Sequence, residues 1–172
     1  YHQFFISSRA VQLFPNNSRK TNSDFALRCS GNDWSNTFFR DGMMQSLIKD
    51  YADLDGQDFR PCAVYFNGAY LGMQNIREKQ DADYCEYYHN IDPDSLDYIE
   101  NNTIINEGND LAYKEMLNQL NSGIKSDVAF TAFDQIADTK NYTDYIISQI
   151  FSANTSWGHN ISCFRNRSQN GR

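Results

Sequence analysis

The sequence has no long hydrophobic run and little positive charge. No apolar segment approaches the roughly 20 residues that a helix needs to cross a bilayer, so we expect no transmembrane segment. The 172 residues carry a net charge of −7. Broad nucleic-acid binding needs cations that displace counterions from phosphates, so we expect no nucleic-acid partner. A local basic pocket for a small phosphorylated ligand is compatible with this charge.

Cysteine and histidine are scarce, and neither has the spacing of a metal site. None of the four cysteines lies in a Cys-x-x-Cys pair, which argues against a zinc site. They are Cys29, Cys62, Cys85 and Cys163. The three histidines lie far apart in the sequence. We expect the cysteines to be buried free thiols.

The common signatures of nucleotide binding are also missing. The run NGAYLG is typical of a hairpin turn, not of a loop that opens a helix, so it is not a dinucleotide fingerprint. Neither common Gly-rich phosphate loop occurs, and there is no Gly-x-Ser-x-Gly motif.

The composition is that of a folded domain. Hydrophobic residues make up 40% of the chain and aromatic residues 15%, which argues against disorder. Strand-like runs come first and helical periodicity follows. That order favours an α+β fold over a doubly wound α/β sheet.

Periodicity predicts the individual elements. Strands are predicted at 1–8 and 23–31, with one or two short strands in 96–105. Helices are predicted within 36–51, at 81–92, from 109 onward, at 127–137 and at 141–153. Gly42 should weaken the first of these helices. In the last, Asn141 is the predicted N-cap, and Tyr145, Ile146 and Ile150 are predicted to be buried.

A β-hairpin is the clearest local signal. Two apolar runs, 62–66 and 69–77, flank Asn67-Gly68. Asn-Gly best tolerates the positive φ angles of a type I′ turn, so these runs should pair antiparallel. Pro61 fits the start of the first strand.

Two polar segments remain. The run SGNDW, residues 30–34, is typical of a β-turn in which Trp34 is buried. The run SANTSWGHN, residues 152–160, has the spacing of a phosphotransferase loop, in which an acid orients the acceptor and an Asn four residues later holds a metal ion. Alternatively it is a polar turn in which Asn154 caps a helix and Trp157 packs.

Four blocks of the chain resemble the spore coat protein H (CotH) kinase family. They are LRCSGNDW, FRDGMMQSL, RPCAVYFNGAYLGMQNIREKQDADY and NYTDYIISQIFSANTSWGHNISCFRNR, in the family's order. Members of this family are similar to distant, atypical protein kinases. They transfer the γ-phosphoryl of ATP to Ser of secreted or coat proteins, with divalent metal, and many bacterial members are predicted to be exported. The resemblance therefore implies a kinase-like fold, a strand-rich small lobe with the hairpin followed by the helical start of a larger lobe.

The resemblance also implies a set of site residues. Ser156 stands where the family usually has a catalytic or metal-binding Asp, and Asn160 matches the family's catalytic, metal-binding Asn. Arg28, Arg40 and Glu78 match nucleotide-binding positions. Alternatively, the two arginines form surface or structural salt bridges.

The resemblance finally implies ATP with magnesium or manganese, a protein substrate or partner at the cell surface or coat, and an extracytoplasmic location. It places an Asp-x-Asp metal motif beyond residue 172. We therefore expect one C-terminally incomplete domain over 1–172, strand-rich in 1–107 and helical in 108–172. A hydroxyl cannot accept a proton or bind magnesium as a carboxylate does. The chain is thus either a kinase domain that is inactive as this fragment, or a non-catalytic pseudokinase or scaffold.

Overall fold

The computed structural model describes residues 2–5, 12–22, 24–168 and 171. Over these residues the protein is α+β, with two small antiparallel sheets and five α-helices. This result confirms the predicted α+β class. The chain divides into two compact units, Tyr1–Gln80 and Asp81–Arg172. Within the described ranges, no helix is both long and apolar enough to span a bilayer.

The first unit contains a four-stranded antiparallel sheet and one α-helix. Its elements are β1 (His2–Phe5), β2 (Asp24–Arg28), α1 (Arg40–Tyr51), β3 (Phe59–Phe66) and β4 (Ala69–Arg77). The strand order is β1-β2-β4-β3. Both strands predicted before residue 31 are therefore found, although residues 1, 6–8 and 23 of those predictions lie outside the described residues.

The predicted hairpin is confirmed. β3 and β4 pair antiparallel, with Phe66 opposite Ala69. The φ angles of Asn67 and Gly68 are 48° and 85°, both positive as a type I′ turn requires. Pro61 lies inside β3 rather than at its start. It is tolerated there because β3 is an edge strand, where a missing N–H need not break a ladder.

The glycine of α1 lies where this helix packs against β3. Gly42 is buried in α1, and a Cβ built on it would lie 2.7 Å from the ring of Phe59. The missing side chain therefore lets β3 pack closely against the helix. Met43 and Leu47, two apolar residues of this helix, are 42% and 41% exposed.

The second unit contains a three-stranded antiparallel sheet and four α-helices. Its elements are α2 (Ala82–His89), β5 (Leu96–Glu100), β6 (Ile104–Glu107), α3 (Leu111–Ser122), α4 (Asp127–Asp134), α5 (Thr139–Phe151) and β7 (Ser162–Asn166). The strand order is β6-β5-β7, so β5 is central. A small core lies against β5, formed by Tyr84, Cys85, Ile91, Leu96 and Tyr98.

Helix α5 corrects two predictions. Its N-cap is Asp138, whose carboxylate accepts a hydrogen bond of 3.0 Å from the backbone N of Asn141. Ile150 is 68% exposed, so its predicted burial is wrong, whereas Ser148 is buried. Apolar residues lie on both sides of this helix, and periodicity alone could not identify the side that packs.

The prediction of buried thiols is correct for only one of the four cysteines. Cys29 and Cys163 are exposed, and Cys85 alone of the four is buried. All four are free. Cys62 lies on β3 and is half-buried, and Cys163 lies on β7 and is exposed.

Candidate functional site

The loop of residues 152–160 connects the end of α5 to the residues before β7. Ala153 ends the helix in the left-handed region, with φ at 47°. Asn154 then bonds back to the helix twice. Its backbone N donates to the Gln149 carbonyl at 3.1 Å, and its side-chain amide donates to Gln149 Oε1 at 2.6 Å. The geometry of Asn154 is thus that of a residue completing the helix end.

Ser156 and Trp157 form the middle of this loop. The backbone N of Ser156 donates to Asn154 Oδ1 at 2.9 Å. The Tyr145 hydroxyl donates to the Trp157 carbonyl at 3.1 Å, which fixes the loop to α5. The Trp157 side chain itself is 38% exposed.

Asn160 ends the loop and is held from outside it. Its backbone N donates to Asn101 Oδ1 at 2.7 Å. The φ angle of Asn160 is 62°, a left-handed conformation that Asn tolerates better than most residues. The backbone N of Asn101 donates to the carbonyl of Ile161 at 2.7 Å.

The donor set of this loop does not fit magnesium or manganese. Both ions prefer oxygen ligands and are usually bound in proteins through one or two carboxylates. Residues 152–160 contain no carboxylate. The Asn154 Oδ1 atom already accepts the Ser156 N–H. The described part of the chain contains no group of three or more His, Cys, Asp or Glu side chains that could hold a metal ion.

The two candidate arginines lie in the first unit, where Arg28 ends β2 and Arg40 begins α1. Arg28 Nη1 is 3.3 Å from Asp41 Oδ2, and Arg77 bonds the same carboxylate. Arg40 Nη2 is 3.7 Å from Asp33 Oδ1, and the Arg40 side chain is 60% exposed. Both arginines therefore form salt bridges, and the guanidinium of Arg40 is also open to a ligand.

Asp33 is a buried carboxylate that sequence reasoning did not select. It accepts hydrogen bonds from the Thr37 hydroxyl at 2.5 Å and from the backbone N of Arg40 at 3.1 Å. The Thr37 hydroxyl, and then the backbone N–H groups of Arg40 and Thr37, lower the pKa of Asp33 from its ordinary 3.8, although burial opposes them. No helix-capping pattern could have found Asp33, because it lies seven positions before Arg40 and the N-cap of α1 is Phe39.

The predicted burial of Trp34 is wrong. Residues Gly31–Asp33 form a short 3-10 helix instead of a simple β-turn. This conformation buries Asp33 and leaves Trp34 43% exposed, with its ring 4.7 Å from that of Phe38. The side chain of this segment that is buried and hydrogen-bonded is therefore the carboxylate of Asp33 and not the indole of Trp34.

Glu78 is fully buried and follows β4 directly. Its carboxylate lies 3.7 Å from Arg19 Nη1, and Asn17 Nδ2 is 3.4 Å from both of its oxygens. The same Asn17 amide donates to Asp58 at 2.5 Å. Sequence reasoning missed Asn17 and Arg19 because Asn17 and Glu78 are 61 positions apart, and no local pattern joins them.

The five predicted site residues fall into two sets. Arg28, Arg40 and Glu78 belong to the first unit, and Ser156 and Asn160 belong to the second. In the first unit, Arg28 and Arg40 converge on carboxylates beside α1, whereas Glu78 pairs with Arg19. In the second unit, Ser156 and Asn160 share one loop.

Comparison with known proteins identifies a kinase-related domain. The sequence matches the family described as CotH kinase protein over residues 4–172. The chain therefore belongs to the CotH kinase family, as its motifs predict. No curated protein and no solved structure matches it.

Proposed function

We propose that this chain is a CotH-type atypical protein kinase domain whose transfer of the ATP γ-phosphoryl to Ser of a secreted or coat protein is strongly weakened. One observation carries the proposal. The resemblance to the family aligns Ser156 with the family's acid, and the loop of residues 152–160 contains no carboxylate. The hydrogen bonds of this loop give it a defined backbone, so the acid is missing from an ordered segment.

The chemical reason lies in the proton of the acceptor hydroxyl. In kinases an Asp orients that hydroxyl and accepts its proton. A Ser hydroxyl near neutral pH cannot accept the proton, and loss of a general base typically costs about 10²–10⁴-fold in rate. The loop also lacks carboxylate ligands for a metal ion, and for that reason we assign no step to one.

Nucleotide binding is less dependent on the missing acid. ATP brings the γ-phosphoryl and several negative charges, which attract guanidinium groups. Arg40 is the more accessible of the two candidate arginines, since 60% of its side chain is exposed. Arg28 shares Asp41 with Arg77, so two cations face one carboxylate there.

ATP titration of the 172-residue chain tests this proposal. The unmodified protein should bind MgATP, and Arg40→Met should weaken binding at least about fivefold, because a charge-assisted contact contributes about 1.5–3 kcal/mol. Arg60→Met is the matched control, since it removes an equal charge from the exposed edge strand β3. Equal losses in the two variants, or no binding to the unmodified protein, would contradict the proposal.

A second candidate function is a non-catalytic binding module at the cell surface. It is favoured by the tip of the β3–β4 hairpin, where Tyr65, Phe66, Tyr70 and Leu71 are 55–66% exposed. The Tyr65 and Tyr70 rings lie 5.2 Å apart, so the tip presents an aromatic surface. This candidate predicts that the chain does not bind ATP and that Ser156→Asp gains no activity.

A further inference from the structure

Asn101 bonds to the candidate loop from another element of the second unit. It follows β5 directly, in the turn that leads to β6. Its side-chain oxygen accepts the backbone N–H of Asn160 at 2.7 Å, across 59 positions of sequence. Its own backbone N–H donates to the Ile161 carbonyl at 2.7 Å. The two bonds therefore hold the main chain at the N–H of Asn160 and at the carbonyl of Ile161.

The turn that carries Asn101 is itself held in place. Asn101 and Asn102 have φ angles of 52° and 63°, in the left-handed region that Asn adopts with little strain. The Tyr113 hydroxyl donates to Asn102 Oδ1 at 3.0 Å, which ties the turn to α3. Asn101 thus offers its side chain from a turn fixed by the β5–β6 hairpin and by a helix.

The remaining bonds of the loop do not reach Asn160. Asn154 bonds to the N–H of Ser156, and Tyr145 bonds to the carbonyl of Trp157. Asn160 has a positive φ of 62°, and its backbone N donates to Asn101. The direction in which the Asn160 side chain leaves the backbone depends on this φ angle, which is the rotation about the bond between the α-carbon and the N that donates to Asn101.

We propose that Asn101 is a positioning residue that holds Asn160 for contact with the nucleotide. This inference rests on the proposed function, because Asn160 matters only if the loop takes part in ATP binding. Asn101 does not touch the ligand itself. It acts through the backbone of Asn160, and its effect should vanish when its side-chain oxygen is removed.

Three variants of the 172-residue chain separate this role from general stability. Asn101→Gly keeps the left-handed backbone and removes the acceptor, whereas Asn101→Asp keeps an acceptor oxygen. Asn90→Gly is the matched control, since it removes the same side chain from a left-handed position at the end of α2. The solvent-exchange rate of the Asn160 amide, measured by NMR, should rise about fivefold or more in Asn101→Gly, as expected for one lost hydrogen bond. It should change less than about twofold in the other two variants.

The functional readout is MgATP binding, followed by the fluorescence of Trp157 in a Trp34→Phe background. Asn101→Gly should raise the dissociation constant at least about threefold relative to Asn90→Gly, the effect of a weakened polar contact. An unchanged Asn160 exchange rate in Asn101→Gly would overturn the proposal, and so would faster exchange with unchanged affinity. If the unmodified chain binds no ATP, the proposed function fails, and the exchange rate alone decides whether Asn101 positions Asn160.

Discussion

The carboxylate of Glu78 lies 3.7 Å from the guanidinium of Arg19, and both side chains are buried. Arg19→Met should therefore destabilise the protein by about 3–5 kcal/mol, because it removes a buried guanidinium that pairs with the buried Glu78 carboxylate. The free energy of unfolding in urea measures this change. Lys114→Met breaks an exposed ion pair with Asp110 and should cost under about 0.5 kcal/mol. Similar costs for both variants would show that the Glu78 pair is not buried as described.

Gly42→Ala should destabilise the protein by about 1–3 kcal/mol, because the new methyl group would overlap the Phe59 ring. In an ordinary exposed helix the same change stabilises by about 1 kcal/mol, so the sign of the effect is diagnostic. Thermal or urea unfolding measures it. Adding Phe59→Leu should recover part of the loss, since the two sites are in contact. A Gly42→Ala protein more stable than the original would reject this packing.

Gly68→Val should destabilise the fold by roughly 1 kcal/mol or more, because a β-branched residue resists the positive φ of the turn. A Cβ at this position would meet no heavy atom within 4 Å, so the cost is conformational rather than steric crowding by neighbours. Gly68→Asn is the matched comparison and should cost less, since Asn adopts positive φ more readily. Equal costs for Val and Asn would argue against a type I′ turn.

The stability of the first unit should fall in acid partly through Asp33. Its pKa in the folded protein is below the ordinary value of 3.8, so the folded state binds fewer protons than the unfolded state near that pH. The resulting stability is present above about pH 4 and is lost as pH falls through the lowered pKa. Thr37→Val removes the largest cause of the shift and should flatten this dependence. Urea midpoints measured between about pH 5 and 2.5 test it, and an unchanged slope would contradict the assignment.

Local signals in the sequence predict the elements of this fold better than its packing. Asn67-Gly68 determines the β3–β4 turn because the φ requirement is local, and the structure confirms it. The burial of Ile150 depends on which side of α5 faces the core, and that is a tertiary property. The strand β7 was not predicted because Ser162–Asn166 is short and pairs with β5, far away in the sequence.

The candidate site shows the same division. The resemblance of the sequence to a family selected Ser156 and Asn160, and the structure places them in one loop. The partners that hold site residues were not foreseeable, because Asn101 and Asn160 meet across 59 positions. The Arg19–Glu78 pair is likewise formed only by the folded chain.

Phosphoryl transfer from radiolabelled ATP, with magnesium or manganese, tests most directly the claim that Ser156 limits this protein. The unmodified 172-residue chain should transfer no more phosphate than Ser156→Ala, because neither side chain accepts a proton near neutral pH. Ser156→Asp should restore the general base and exceed both by about 10²-fold or more. Transfer by the unmodified chain that Ser156→Ala abolishes would contradict the account.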